Sequence, residues 1–327
     1  MAVPINDLTA IFKDLGALER EFAEVELDAL RRKEYSLRTL YSKREALFKK
    51  IPNFWPTVFG FGPEDIRQFF APDDLPLLAS IESVSVDRYQ IQSETEGEPR
   101  SIRFTFHFAP NEFMENTTLI KEFEFHPSGD GPGNLISKPV PIKWKGKKKD
   151  PTRGLLDAAV QLYNAEEALK LKQGDKVVDI VDREALWQYE KLRETLVQFE
   201  EDEGDIHQPS FFSWFGFRGA VNAANVKNPA ETENGSREEE DDADADEFEE
   251  MLDVEIFPAG DEVATALVED LWPNAMDYFL SASNQDDESD DDDIDDEDDE
   301  DEDDDEAPEL VLAEEDDDRP RKKARKG

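Results

Sequence analysis

From Leu8 onward the apolar positions fall three and four residues apart: Leu8, Ile11, Phe12, Leu15, Leu18, Phe22 and Val25, then Ala29, Leu30, Leu37, Leu40, Tyr41 and Leu47. With charged residues between them, that period predicts one amphipathic helix. Asn6 or Asp7 can cap its start, no glycine after Gly16 and no proline interrupts it, and Pro52 stops it near Lys50. About 44 residues rising ~1.5 Å each make a rod of roughly 65 Å. A body of this size cannot cover such a rod alone. The spacing therefore predicts a dimer-forming coiled coil over residues 1–51, the alternative being an ordinary long core helix.

After Pro52 the period changes to two. Ile81, Val84, Val86 and Ile91 suggest one strand, followed by the turn-like Glu96-Gly97-Glu98-Pro99. Ile102, Phe104, Phe106 and Phe108 alternate with Arg103, Thr105 and His107; Leu119, Lys121, Phe123 and Phe125 follow, and Val140, Ile142 and Trp144 come after a Gly/Pro-rich connection. Four strands at hairpin spacing predict an antiparallel meander with one aromatic face that needs cover. Residues 150–204 read as two helices: Leu155, Leu156, Ala159, Leu162, Tyr163 and Leu169 share one face, and Gly174 breaks the pattern. Val177, Ile180, Val181, Trp187, Leu192, Leu196 and Phe199 form the second stripe. Phe211-Phe212-Ser213-Trp214-Phe215 is too apolar to stay exposed, residues 216–247 lose periodicity and turn acidic, and a short helix from Asp261 to Leu271 is cut by Pro273, with a restart at Asn274–Leu280. The fold class is α+β: a long N-terminal dimerisation helix, an antiparallel four-stranded sheet packed with helices over 52–281, and an acidic C-terminal tail over 282–318 expected to be disordered.

Charge sharpens this division. The 327 residues hold 37 Lys and Arg against 82 Asp and Glu, a net charge of −45, yet 38% of the chain is apolar, enough for a real core. From Asp286 to the C-terminus the net charge is −19, from Glu231 to Glu262 it is −15, and the rest carries only −11. Phosphates repel this field and no basic face is in view, so nucleic acid is a poor candidate partner, no direct sequence-specific nucleic acid is expected, and a basic protein is favoured. One exposed Asp–Arg pair contributes only ~0–1 kcal/mol. A polyanionic tail therefore gains affinity by summing exchangeable contacts, and choice of partner must lie on the folded body. The bland alternative is a solubilising tail. Residues 319–327 reverse sign abruptly, and Arg321, Lys322, Lys323, Arg325 and Lys326 match a nuclear-import cluster, unless they fold back on the acid as counterions.

Catalysis finds little support. There is no cysteine, which excludes disulfides, thiol nucleophiles and zinc–thiolate sites. His107, His126 and His207 fit no metal-ligand spacing or Ser-His-Asp order, and Gly129-Asp130-Gly131-Pro132-Gly133 resembles only a turn. Solvated carboxylate runs do not push two pKa values apart as an acid/base pair requires. The expectation is a non-enzyme with no metal, no cofactor, no secretory signal and no apolar run of the ~18 residues that a membrane span needs.

Several strings, in order, resemble the nucleosome assembly protein family, most closely its SET/template-activating-factor branch. They are Ile51-Pro52-Asn53-Phe54-Trp55; Asn111-Glu112-Phe113-Met114-Glu115-Asn116 leading into Lys121-Glu122-Phe123; Ile142-Lys143-Trp144-Lys145; Phe211-Phe212-Ser213-Trp214-Phe215; and Leu271-Trp272-Pro273-Asn274 followed by Tyr278-Phe279-Leu280. The resemblance implies a homodimer of paired rods, each bearing an "earmuff" domain, that binds core histones, shields them from non-productive DNA contact and delivers them for nucleosome assembly without ATP. It carries histone contact to Asp261, Glu262, Glu269 and Asp270, while the helical period itself marks Leu8, Phe12, Leu15, Leu18, Phe22, Val25, Leu30, Leu37 and Leu40 as the dimerisation positions. It implies a nuclear protein, with shuttling to the cytoplasm left open and a histone-modifying enzyme as a further candidate partner. Two departures stand out: the helical stretch 150–204 replaces a short basic linker, and the Asn-Glu-Phe turn lacks a proline. The competing reading is an acidic regulator or escort of a non-histone enzyme or other basic protein, acting through the 150–204 helices.

Overall fold

The computed structural model describes residues 5–127, 133–173, 178, 180–203, 209–219 and 254–289, and side chains over 11–127, 133–173, 178, 181–199, 209–219 and 254–283. The expected acidic loop beyond Gly219, the tail beyond Ser289, the import cluster, His207 and Val177 lie outside the described residues.

Helix α1 runs Ile5–Phe48 without a break, so Asn6 and Asp7 lie within it. Asn53 then takes a left-handed backbone conformation, φ 55°, which turns the chain into α2, Phe54–Phe61. One-turn helices α3, Glu64–Arg67, and α4, Leu75–Leu78, lead to the sheet. Its strands β1, Ile81–Asp87, β2, Ile102–Phe108, β3, Thr118–His126, and β4, Asn134–Ser137, form an antiparallel meander in the order β1-β2-β3-β4. On β2 the alternation is complete: Ile102, Phe104, Phe106 and Phe108 are buried while Arg103, Thr105 and His107 face the other way. Trp214 fills the aromatic face, its ring centroid 5.4 Å from Phe104 and 5.3 Å from Phe123. Trp55 and Phe59 of α2 close the same core with Phe211, Phe212 and Phe215.

The structure corrects three expectations. The fourth strand is not Val140–Trp144 but Asn134–Ser137. Val140 sits between Pro139 and Pro141, which have no N–H to give a ladder. Instead, Val140 N donates to Phe215 O at 2.8 Å, and Trp144 forms an isolated bridge with Met114. Ile91 lies beyond the end of β1, buried in the following loop. The second helical stripe of the 150–204 stretch is broken in two: α5, Leu155–Lys172, is followed by α6, Ile180–Glu184, and α7, Trp187–Glu203. The break turns Val181 and Trp187 outward while Leu192 stays buried among core residues that include α5 side chains.

At the C-terminal end, α8, Gly260–Ala266, passes into a π-helical turn, Leu267–Leu271, closed by Trp272 N to Leu267 O at 2.9 Å. After Pro273 the chain restarts as α9, Ala275–Ser289, so the helix continues through the first residues assigned to the tail.

Candidate partner-binding site

Helix α1 presents two different faces. One is apolar and open: Phe12 is 67% exposed, Phe22 57% and Val25 68%, with Leu15, Leu18 and Leu40 also exposed. Ile11, Tyr35 and Leu47 are exposed on the same helix. Water-facing Phe and Leu residues repeated along a 44-residue helix are a surface without its complement. Leu30 and Leu37, expected among the dimerisation positions, are half-buried and line a cleft against Val268, Glu269 and Trp272. Leu8 precedes the described side chains.

The other face is polar and closed. Arg31 Nε donates to Gly97 O at 2.8 Å, Arg38 Nη2 to Arg88 O and Ile91 O at 3.1 and 3.0 Å, and Arg44 to Pro273 O and Trp272 O at 3.1 and 2.9 Å. The seven-residue spacing places Arg31 and Arg38 on one side of the helix, and Arg44, six residues further on, lies about a third of a turn round from Arg38. Each guanidinium donates to carbonyls of loops outside the helix, which fixes the rod on the body. Arg44 also lies over the Trp272 ring, 4.6 Å from its centroid, and Trp272 stacks on Trp55 at 5.6 Å and 3°. Burial lowers the pKa of Arg44 and raises that of Tyr41 beside it.

The four carboxylates expected to grip a partner fall into two pairs. Asp261 and Glu262 open α8, where Asp261 Oδ1 accepts from Glu262 N at 3.1 Å. Glu269 and Asp270 sit on the π turn. Glu269 is exposed at the mouth of a cleft of about 540 Å³ whose walls include Arg44, Arg88 and Leu30. Burial lowers the pKa of Arg88, and the charges of Glu34 and Glu269 oppose that shift. Asp270 is engaged: Oδ1 accepts from Asn274 Nδ2 at 3.0 Å and from the Tyr278 hydroxyl at 2.9 Å. Burial, then the bond to Asp270 and its charge, push the Tyr278 phenol up to about 12. Glu262 and Glu269 are therefore the two exposed members, and Asp270 also has a structural task.

Buried charges that sequence reasoning missed hold the segment 209–219 in place. Lys121, expected with the inward row of β3, is fully buried; its Nζ donates to Lys138 O, Phe215 O and Phe217 O at 3.0, 3.1 and 2.6 Å. Burial drives its pKa well below the usual lysine value. Asp74 accepts from Ser210 Oγ and, at 2.8 Å, from Phe211 N. Glu166 pairs with Arg183 at 2.7 Å and with Arg218 at 2.5 Å, linking α5, α6 and the chain after Gly216. A charged residue in an inward position of an alternating strand, as at Lys121, is the signal that could have found this brace. Among the described residues no group of three or more His, Asp or Glu could hold a metal ion, and no helix is long and apolar enough to cross a membrane.

Residues 16–282 match the family model described as nucleosome assembly protein. The chain belongs to the nucleosome assembly protein family. Among similar proteins, one from Schizosaccharomyces pombe carrying a nucleosome-assembly-protein name is 33% identical over 147 residues, 42% of this chain and 58% of that protein. NAP1-related protein 2 of Arabidopsis thaliana is 26% identical over 287 residues, 88% of this chain and 80% of its own length. Protein SET of Drosophila melanogaster is 29% identical over 150 residues, 44% of this chain and 52% of that protein. The crystal structure of Vps75 shares the fold, with a TM-score of 0.51 at 18% identity, over 84% of this chain and 99% of that one. As expected, a long helix leads into an earmuff domain built on a four-stranded sheet.

Proposed function

We propose that this protein is a histone chaperone that acts as a homodimer, binds core histones, keeps them from non-productive contact with DNA and delivers them for nucleosome assembly without ATP. Family membership carries the reading. The open apolar face of α1 supports the dimer, because a second copy of the same helix offers the complement each protomer lacks. The net charge of −45 supports a strongly basic partner. Glu262 and Glu269, with Asp261 and Asp270 behind them, are the proposed histone contacts on the body, and the tract Asp286–Glu306 adds many weak contacts that fade beyond ~8 Å at physiological salt. Arg321, Lys322, Lys323, Arg325 and Lys326 are the proposed import signal to the nucleus.

The test is quantitative binding of core histones by the full chain, a deletion of Asp286–Glu306, and the Asp261→Asn, Glu262→Gln, Glu269→Gln, Asp270→Asn quadruple variant across a salt series. The deletion should lower affinity and flatten the salt dependence, and the quadruple variant should lower affinity at every salt. No histone binding by the full chain near physiological salt defeats the proposal. A second reading, escort of an enzyme through the helical stretch 150–204, is favoured by the exposure of Leu171, Val181 and Trp187, all at the end where α5, α6 and α7 meet. A Trp187→Ala variant would then lose the enzyme and keep histones.

A further inference from the structure

Within a chain this acidic, one stretch of the body is basic. Residues 138–149 contain Lys138, Lys143, Lys145, Lys147, Lys148 and Lys149. All but Lys149 are exposed. Lys149 is paired with Glu112, and Lys145 Nζ donates to Asn111 O. Lys138, Lys143, Lys147 and Lys148 have no side-chain partner among the described residues. Their backbone is fixed: Val140 N donates to Phe215 O at 2.8 Å, Lys143 N to Asn116 Oδ1 at 2.7 Å, and Lys145 N to Phe113 O at 2.7 Å. The run is therefore carried on a backbone tied to the body at Val140, Lys143 and Lys145.

The described chain stops at Gly219 and resumes at Val254, and both ends lie at the root of this run. Ser137 N donates to Arg218 O at 2.7 Å, and a Cβ on Gly219 would meet Leu135 O at 2.5 Å, so the chain leaves Gly219 against β4, directly before Lys138. It returns at Val254, and Glu255 Oε2 accepts from Arg218 N at 3.1 Å. Between these ends, residues 231–253 hold 13 acidic residues and one basic residue, Arg237. At up to ~3.5 Å per residue, the 12 steps from Gly219 to Glu231 reach as far as about 40 Å, and the nine from Lys138 to Lys147 at most about 30 Å. The whole run is within reach. Tethering sets an effective concentration on the order of millimolar at the lysines, a large advantage over a separate polyanion.

We propose that the lysine run 138–148 is the docking surface for this chain's own acidic segment 231–253. Docked, the segment covers the cations that would otherwise attract phosphate, and it is itself partly neutralised. A basic partner that binds the segment must then compete with the lysines.

Carbodiimide joins a lysine amine to a carboxylate only when the two are in contact, and it tests this on the purified full chain with no histone present. Cross-links should join Lys143, Lys147 or Lys148 to residues within 231–253, and should fall away near 1 M salt, where screening shortens the range of attraction to about 3 Å. Lys138→Gln, Lys143→Gln, Lys147→Gln and Lys148→Gln together should remove them while leaving the melting temperature unchanged, since all four are exposed. Mixing light- and heavy-isotope chains separates the sources: links within one chain support the proposal, and links between chains overturn it in favour of a second copy. Lysines that link only to acids outside 231–253, or that bind duplex DNA equally well in wild type and in a variant with the segment's acids neutralised, also overturn it.

Discussion

Replacing Phe22 by Ala probes the dimer where its energy should be greatest. Phe22 is 57% exposed on the open face of α1, so roughly half of its side chain remains to be buried. Full burial of a Phe or Leu side chain stabilises by about 1.5–3 kcal/mol, so the remaining half contributes about 1–2 kcal/mol per protomer. A two-fold interface uses the residue twice, which gives about 2–4 kcal/mol per dimer. At 1.4 kcal/mol per decade, the dimer dissociation constant should rise roughly 30- to 700-fold. Sedimentation equilibrium reads this directly: the wild type should sediment at twice 37.4 kDa and Phe22→Ala should dissociate at far higher concentration. Leu15→Ala should behave alike. Leu37→Ala, on the cleft side, should lower the melting temperature more than it weakens the dimer. A wild-type monomer, or an unchanged dissociation constant in Phe22→Ala, would refute the reasoning.

Three further outcomes follow from the packing. Arg44→Ala removes two hydrogen bonds to Trp272 and Pro273 and the stacking on Trp272, and should lower unfolding free energy by about 2–3 kcal/mol in urea titrations. Lys121→Met leaves Phe217 O without its ammonium donor, whereas Phe215 O keeps Val140 N; a loss of about 1–3 kcal/mol is expected, again by urea titration. Tyr278, with its phenol pushed up to about 12 in the fold, contributes stability that is fully present below the ordinary value near ~10 and is lost as the pH rises through about 12. The ultraviolet difference between wild type and Tyr278→Phe should show that late titration, and Asp270→Asn should move it earlier; a midpoint unmoved by Asp270→Asn contradicts the assigned bond.

The periodic elements could be read from the sequence because each buries one face. Ile102 to Phe108 alternate without exception, and the stripe along α1 has no proline to break it. What stayed hidden depended on contacts distant in sequence. Val140–Trp144 looks like a strand by its apolar spacing, and only the two prolines flanking Val140 argue against it. Arg31, Arg38 and Arg44 look like solvated helix charges until Gly97, Arg88, Ile91 and Trp272 bring their carbonyls. Leu30 and Leu37 belong to the same stripe as Phe22, but the body reaches them first. Of the four carboxylates, Asp270 could have been suspected from Asn274 four residues on, whereas the arginines facing Glu269 come from elements far away in the chain.

The activity proposed for this protein is the transfer of core histones to DNA. The most direct measurement is nucleosome formation on closed circular DNA from purified core histones, with and without the protein, in the absence of ATP. The account predicts that the protein suppresses histone–DNA precipitation and raises the yield of supercoiled, nucleosome-bearing circles. Equal precipitation and equal yield with and without the protein would contradict it.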